Sequence, residues 1–413
     1  MVYDLIIVGG GAAGFFAGSS LLDQSPGARV LILEKSGKLL SKVKISGGGR
    51  CNVTHHCFDN EKLLASYPRG NPWLSDVFDR LGVKQTLNWF RNIGIEIVAE
   101  ADGRMFPKSN DSSTIADGLL HAFTGKGGKI QLQKKVMSFE HKEGIFEICI
   151  ENENPLLARH LLIATGGSPD IRGFDFLIHT GHRIVTPVPS LFTFNTRPHP
   201  WADLQGLSVT EARVGICNSP YSFSGPVLVT HWGFSGPAVL KLSAFAARYL
   251  HEKNYAYQFS IDWLPSIPAG EVLSGLLDFQ KNHGRKKPAQ TPVFNLPTRL
   301  WAKLCTEVKA VEHFNWAETG RKKVEALAEK LKDSRFEGSG KTTYKDEFVT
   351  AGGVDTSEVD TSTCESKRIP SLFFAGEVLN ADGITGGFNF QAAWSTGFAV
   401  AHTISGRLKK MQT

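Results

Sequence analysis

Tyr3–Val8, with Asp4 as its one charged residue, is a short apolar run that reads as a strand. Glycines interrupt it at Gly9–Gly14, an apolar helix is predicted over Ala12–Leu22, and a second apolar run at Arg29–Leu33 ends on Glu34. Strand, glycine turn, helix and strand form a βαβ unit. Helical spacing returns over Asn71–Gly94, through Trp73, Val77, Leu81, Leu87 and Phe90, and an Asp/Ser/Thr cluster suits the start of a helix at Thr114–Phe123. Lys129–Val136, Phe139–His141, Phe146–Ile150 and His160–Ala164 read as strands.

From Ser190 the texture changes. Strands at Phe192–Thr196, Arg213–Cys217, Val227–Thr230 and Tyr255–Ile261 alternate with Pro and Gly turns, and helices are predicted at Gly270–Lys281, Thr298–Val308 and Glu318–Leu331. The end regains the first texture: a strand at Phe348–Val349, a turn at Ala351–Val354, a strand at Leu372–Ala375 and a helix from Asn389 to Ile404. The pattern predicts an α/β fold in which residues 1–190 and 345–413 build one Rossmann-like domain. Residues 191–344 then form an inserted β lobe with a helical subdomain at about 265–332.

The chain's 413 residues exceed the roughly 100 to 200 of an average domain. No apolar run approaches the roughly 20 residues of a membrane helix, and no charged segment of a signal peptide precedes the first strand, so a cytoplasmic protein is expected. The formal net charge is +6, from 46 basic and 40 acidic residues. Short basic runs at Arg285–Lys287 and Arg321–Lys323 read as a solvated loop or helix end rather than a nucleic-acid patch. Cys51, Cys57, Cys149, Cys217, Cys305 and Cys364 lack metal-ligand spacing, so no metal site is expected. Cys51 and Cys57 are spaced one residue wider than the redox pair of disulfide-reducing flavoproteins, and act as one only if the sulfurs meet.

Four motifs carry chemistry. Gly9-Gly10-Gly11-Ala12-Ala13-Gly14 matches G-x-G-x-x-G between a strand and a helix, where glycines let the backbone approach a pyrophosphate and the helix start favours its charge. Glu34, about 20 residues on, suits a ribose hydroxyl. In Lys42–Asn52, Ser46 and Arg50 flank Gly47, Gly48 and Gly49, and Cys51 and Asn52 follow, presenting N–H groups and a fixed cation to an anionic partner. Leu161–Gly167 is a strand ending in the small residues Ala164, Thr165 and Gly166, which permit close approach of a cofactor. In Phe374–Gln391, Gly376 and Glu377 end a strand, Asp382, followed by Gly383 in the same cofactor-binding motif, suits a ribityl or phosphate-proximal hydroxyl, and N–H groups at Gly387, Phe388 and Asn389 open a helix toward a flavin pyrimidine edge.

These four motifs, in this order and over nearly the whole chain, resemble the HI0933-like flavoproteins, a family that includes aminoacetone oxidases and a bile-acid enone reductase. Ser46–Thr54, Thr230–Leu240 and Gly383–Gln391 are the most family-specific segments. The resemblance implies an FAD domain made from both chain ends, an inserted β-barrel and a small helical lobe. It also implies that Gly11, Ala13, Glu34, Lys35, Gly48, Arg50, Val136, Gly376, Asp382 and Phe388 lie at or near FAD, with the backbone of Val136 at the adenine.

The expected activity is hydride transfer between a small organic substrate and flavin, either as an NAD(P)H-dependent reductase or as an amine or aminoketone oxidase. A flavoprotein of RNA modification and a redox-silent FAD scaffold are the alternatives. A second G-x-G-x-x-G is missing, so NAD(P)H would act as a transient reductant. Arg50 and His231 are the candidates for direct chemistry, and for His231 the alternative is a hydrogen-bonded anchor of its lobe. The same two readings hold for His55 and His56, and the stretch Gly103–Pro107 either lines the substrate side or closes a hairpin. Substrate, electron partner and oligomeric state stay open.

Overall fold

The computed structural model describes residues 1–310, 315–342 and 349–411. Its contacts divide the chain into two compact units, Met1–Ser190 with Tyr344–Thr413, and Leu191–Thr343. The return into the first unit, including Phe348 of a predicted strand, falls outside the described residues.

The first unit is a Rossmann-like α/β domain. Five parallel strands lie in the order Lys129–Leu132, Val30–Glu34, Val2–Val8, Leu156–Ile163, Leu372–Phe374. Val30–Leu33, Leu5–Val8, Leu161–Ile163 and Leu372–Phe374 are continuous apolar stretches, as burial on both faces demands, whereas the edge strand Lys129–Leu132 is partly exposed. Leu156–Ile163 forks: its second half pairs with the parallel strand Leu372–Phe374, and its first half pairs with the antiparallel strand Ile145–Ile150. Two helices, Ala12–Gln24 and Phe388–Lys410, pack together so closely that a Cβ on Gly397 would lie 2.7 Å from the carbonyl oxygen of Ala13. The chain's C-terminal region therefore closes the sheet that its first residues begin.

Two sequence expectations change here. Ala351–Val354 is not a turn but part of the strand Val349–Val354, antiparallel to Ile184–Ser190. Gly352 and Gly353 serve close approach, since added Cβ atoms would sit 2.7 Å from the Thr186 oxygen and 2.3 Å from the Val378 oxygen. Gly103–Pro107 resolves as a hairpin: Arg104–Pro107 pairs with Ile97–Ala99 and also with Thr54–His55.

The second unit holds a seven-stranded antiparallel sheet in the order Ser334–Ser339, Ala256–Asp262, Ser208–Ile216, Ser222–Val229, Gly233–Ser235, Thr193–Asn195, Lys341–Thr342. The two edge strands are separated in sequence by Gly340 alone, so the sheet curls back on itself. Trp201, Phe234, Phe259 and Phe336 fill its inside, and the helices Ala269–Asn282, Thr298–Glu307 and Arg321–Lys332 extend the same core.

One buried group makes stability pH-dependent. His160, on the forked strand, has both ring nitrogens buried without a hydrogen-bond partner among the described residues, and burial pulls its pKa from 6.5 to about 4. The unfolded chain therefore takes a proton that the folded chain rejects. Stability is complete above the unfolded value and falls by about 3 kcal/mol as pH drops from 6.5 toward 4. Urea melts should show this decline in the parent and much less of it in His160→Leu. An equal decline in both proteins would contradict the assignment.

Candidate functional site

The glycine turn and the small-residue strand ends meet at the carboxyl edge of the parallel sheet, where open α/β sheets bind ligands. Gly9 has φ +116°, and a Cβ there would lie 2.3 Å from the oxygen of Ala164; one on Gly14 would lie 2.3 Å from the oxygen of Gly9. Gly11 differs, because a Cβ there meets nothing within 4 Å. Gly9 and Gly14 are packing glycines, and Gly11 faces open space at the start of the helix Ala12–Gln24. That helix has no side-chain cap and no acidic residue in its first turn, so its N–H groups are left for an anion.

Glu34 braces this turn. Its carboxylate accepts N–H groups from Gly10 (2.9 Å) and Ser36 (2.8 Å), while Lys35 beside it is exposed. The N–H groups of Gln133 and Lys134 donate to the backbone oxygens of Ser36 and Glu34, which brings the buried Val136 close behind. Ala13 lies against Gly376 (φ +75°), whose Cβ would come within 2.9 Å of the Ala13 Cβ. Ala164 is buried at the end of its strand, Thr165 is exposed, and Gly166 (φ +75°) faces open space.

The segment expected to be a loop at Lys42–Asn52 begins as a helix, Ser41–Gly49, whose path breaks at Ser46, Gly47 and Gly48. The Ser112 hydroxyl donates to the Lys44 oxygen (2.7 Å) and anchors the helical part, and left-handed glycines turn the rest. Arg50 stacks 3.9 Å over the Phe106 ring and ion-pairs with Glu100 at 2.6 Å. Lys42 pairs with Glu377 at 2.6 Å, and the other Glu377 oxygen accepts the Thr350 N–H. Asn52 is buried and accepts the N–H of Met105. Cys51 and Cys57 are free thiols. Burial pushes Cys51 up to about 12 and also raises Cys57.

At the C-terminal helix, Gly386 and Gly387 adopt φ +122° and +93°, and a Cβ on Gly387 would lie 2.5 Å from the Thr54 oxygen. The Asn389 side chain holds Gly383 at both its N–H and its carbonyl, each at 2.8 Å. His55 stacks on Phe388 at 4.7 Å and bonds the Gly386 oxygen through Nδ1 at 3.1 Å, while buried Tyr67 donates to the Phe388 oxygen. The helix Phe388–Lys410 begins without a side-chain cap, and its 23 residues aim their dipole at this loop.

Asp382 is fully buried and chelated by Arg69 through Nε and Nη2, with Ser190 donating at 3.1 Å. Burial raises its carboxyl pKa against the pull of Arg69. Asp382 thus fixes the loop. Next to it, the side-chain oxygen of Asn380 is buried and accepts no hydrogen bond among the described residues. Sequence reasoning missed Arg69, Ser190, Tyr67 and Asn380. The first three carry no local signal, because each meets a partner more than a hundred residues away. His231 belongs to the second unit, where it is exposed and makes no hydrogen bond among the described residues.

Comparison with known proteins agrees with this arrangement. A family model described as HI0933-like protein Rossmann domain matches residues 3–403. A ribosomal RNA dihydrouridine synthase of Escherichia coli is 29% identical, over 97% of this chain and 98% of that protein. A 3-dehydro-bile acid delta(4,6)-reductase of Clostridium scindens is 26% identical, with the same coverage. The solved 3-ketosteroid-delta4-(5alpha)-dehydrogenase of Rhodococcus jostii superposes with a TM-score of 0.51 at 12% identity, covering 96% of each chain, and shares the fold. The chain therefore belongs to the HI0933-like family, whose Rossmann domain is that of FAD-binding flavoprotein oxidoreductases.

Proposed function

We propose that this chain is an FAD-dependent reductase that saturates a carbon–carbon double bond conjugated to a carbonyl, with NAD(P)H as a transient donor. One observation carries the reading: the loop Gly383–Asn389, held open by left-handed glycines and by Asn389, presents the uncapped start of a long helix. Positive potential there stabilises a reduced, anionic flavin ring. The two curated relatives support the direction, because a dihydrouridine synthase and a delta(4,6)-reductase both saturate such a bond in very different molecules.

The residues present fit FAD. Gly11 and the first helix would receive the pyrophosphate, Glu34 and the Val136 backbone the adenosine half, and Asn380 a ribityl hydroxyl. The N–H groups of Gly387–Asn389 would face the pyrimidine edge. When bound, FAD would supply hydride from its N5. This chain's own part is to hold the N–H groups and small-residue strand ends still, which needs no reorganisation during reaction. His55 and Tyr67 are positioning residues for that loop.

The test is anaerobic reduction of the FAD-loaded protein with NADPH or NADH, followed by a conjugated enone, a steroid dienone, uridine or a uridine-containing RNA. Rapid reoxidation by at least one of these acceptors is expected. Reoxidation by oxygen alone, or flavin reduced only by amines or aminoketones, would replace the reading with an oxidase.

A further inference from the structure

Between Arg50 and the loop Gly383–Asn389 runs a continuous line of charged and polar contacts that the proposed reading does not use. Glu100 accepts from Arg50 Nη1 at 2.6 Å through one oxygen and from Arg104 Nη2 at 3.0 Å through the other, and Arg104 Nε donates to Asp102 at 2.7 Å. The hairpin that carries Glu100, Asp102 and Arg104 sets Arg104 opposite His55 on the neighbouring strand. At its tip Gly103 has φ +86°, and a Cβ there would lie 2.6 Å from His55 Nε2, so the glycine lets the imidazole sit directly on the backbone. The His56 N–H, donated to the Gly103 oxygen at 2.7 Å, holds tip and strand together.

His55 faces the loop with its other nitrogen. The Gly386 oxygen can only accept, so the 3.1 Å contact assigns the hydrogen to Nδ1, and in the neutral ring Nε2 is the nitrogen able to take a proton. The ring stacks on Phe388, the first residue of the C-terminal helix. Its neighbours favour a cation there. Burial works to raise the Asp102 carboxyl, but hydrogen bonds and charge from Arg104, and then the charge of His55, hold it below its ordinary value, so it stays ionised. Arg104 opposes a cation, and Glu100 offsets Arg104. On the histidine's own strand His56 and Cys57 follow, and burial raises the Cys57 thiol toward neutrality. Across Phe388, burial keeps the Tyr67 hydroxyl protonated, and the first turn of the helix has no acidic residue.

We propose that His55 is a positioning residue whose Nε2 takes up a proton when the bound flavin is reduced, so that an imidazolium held by Gly386 and Phe388 joins the helix start in stabilising the anionic ring. The inference rests on the reductase reading, which sets the pyrimidine edge at Gly387–Asn389, and deepens it by giving this loop a charge that follows the redox state. The balance is complete with a hydride donor alone: N5 gains one hydrogen and both electrons, the ring keeps one negative charge, and the proton on Nε2 comes from solvent. A unit negative charge on the order of 8 Å away, at an effective dielectric of about 20, raises a group's proton affinity roughly thirtyfold. By reciprocity the protonated histidine favours the reduced flavin by the same factor.

The slope of the two-electron potential against pH counts the protons taken up, and a redox titration with indicator dyes reads it without any organic acceptor. In the FAD-loaded parent the count should be one on each side of a window of about 1.5 pH units and rise to roughly 1.7 within it. His55→Asn keeps an N–H donor for the Gly386 oxygen but cannot take the proton, and should give one throughout. Asp102→Asn, on the exposed hairpin tip, should keep the window and move it to lower pH, because a carboxylate that favours the imidazolium is gone. It decides the matter if His55→Asn does not hold FAD. A parent count of one at every pH, a raised count that never falls again at lower pH, one that persists in His55→Asn, or a window unmoved in Asp102→Asn would overturn the inference. If no conjugated acceptor reoxidises the same reduced protein, the reductase reading falls while a His55-dependent count still stands, and a parent that binds no FAD sinks both.

Discussion

Gly11→Val is expected to fold as well as the parent chain and to lose FAD. A Cβ at Gly11 meets nothing within 4 Å, so the protein itself leaves room for a side chain to start there. The space it would enter is where, on the proposed reading, a pyrophosphate would reach the bare start of the first helix. Affinity for FAD should fall at least about a hundredfold, which corresponds to about 2.7 kcal/mol, with the urea midpoint of the cofactor-free protein unchanged. Gly9→Ala is the contrasting case. Its Cβ would lie 2.3 Å from the Ala164 oxygen at φ +116°, so it should fail to fold or melt far below the parent. Equal FAD retention by Gly11→Val and the parent, measured by equilibrium dialysis, would refute the cradle.

Arg69→Met should be among the most destabilising single substitutions in the first unit. It strands the Asp382 carboxylate in a site with no exposed surface, at a cost of roughly 3–5 kcal/mol. The sign of its pH dependence follows from the same burial. Asp382 already has its carboxyl pKa raised, and losing Arg69 raises it further. Protonation then relieves the unpaired charge, so the deficit of Arg69→Met should shrink as pH falls and grow as it rises. Adding Asp382→Leu to Arg69→Met should recover much of the loss, because no buried charge is left unpaired. Urea melts at pH 5 and pH 8 of the parent, the single and the double variant decide this. A deficit larger at pH 5 would contradict the ion-pair account.

What the sequence revealed about the fold was what local pattern encodes. Tyr3–Glu34 declares itself because strand, glycine turn and helix are each short-range choices, and the four motifs mark the strand ends where a ligand would sit. The pair Gly352-Gly353 misleads for the same reason, since a turn and a strand that must pass close to Val378 ask for the same residue. Lys42–Asn52 misleads as well: its glycines argue for a loop, yet contact with Ser112 stabilises a helical start that no local signal announces. Arg69 and Asp382 lie 313 residues apart, and Gly284 and Lys286 accept N–H groups from Ala317 and Trp316, about thirty residues on, with no local signal for either pairing.

The central claim is that this chain uses reduced flavin to saturate a conjugated double bond, and product identity tests it most directly. The FAD-loaded protein is reduced anaerobically, mixed with the acceptor that reoxidises it fastest, and the acceptor is recovered for mass spectrometry. The account predicts a product with two added hydrogens across the bond conjugated to the carbonyl, formed in step with flavin reoxidation. Recovery of the acceptor unchanged while the flavin reoxidises, or a product that has lost hydrogen, would contradict it.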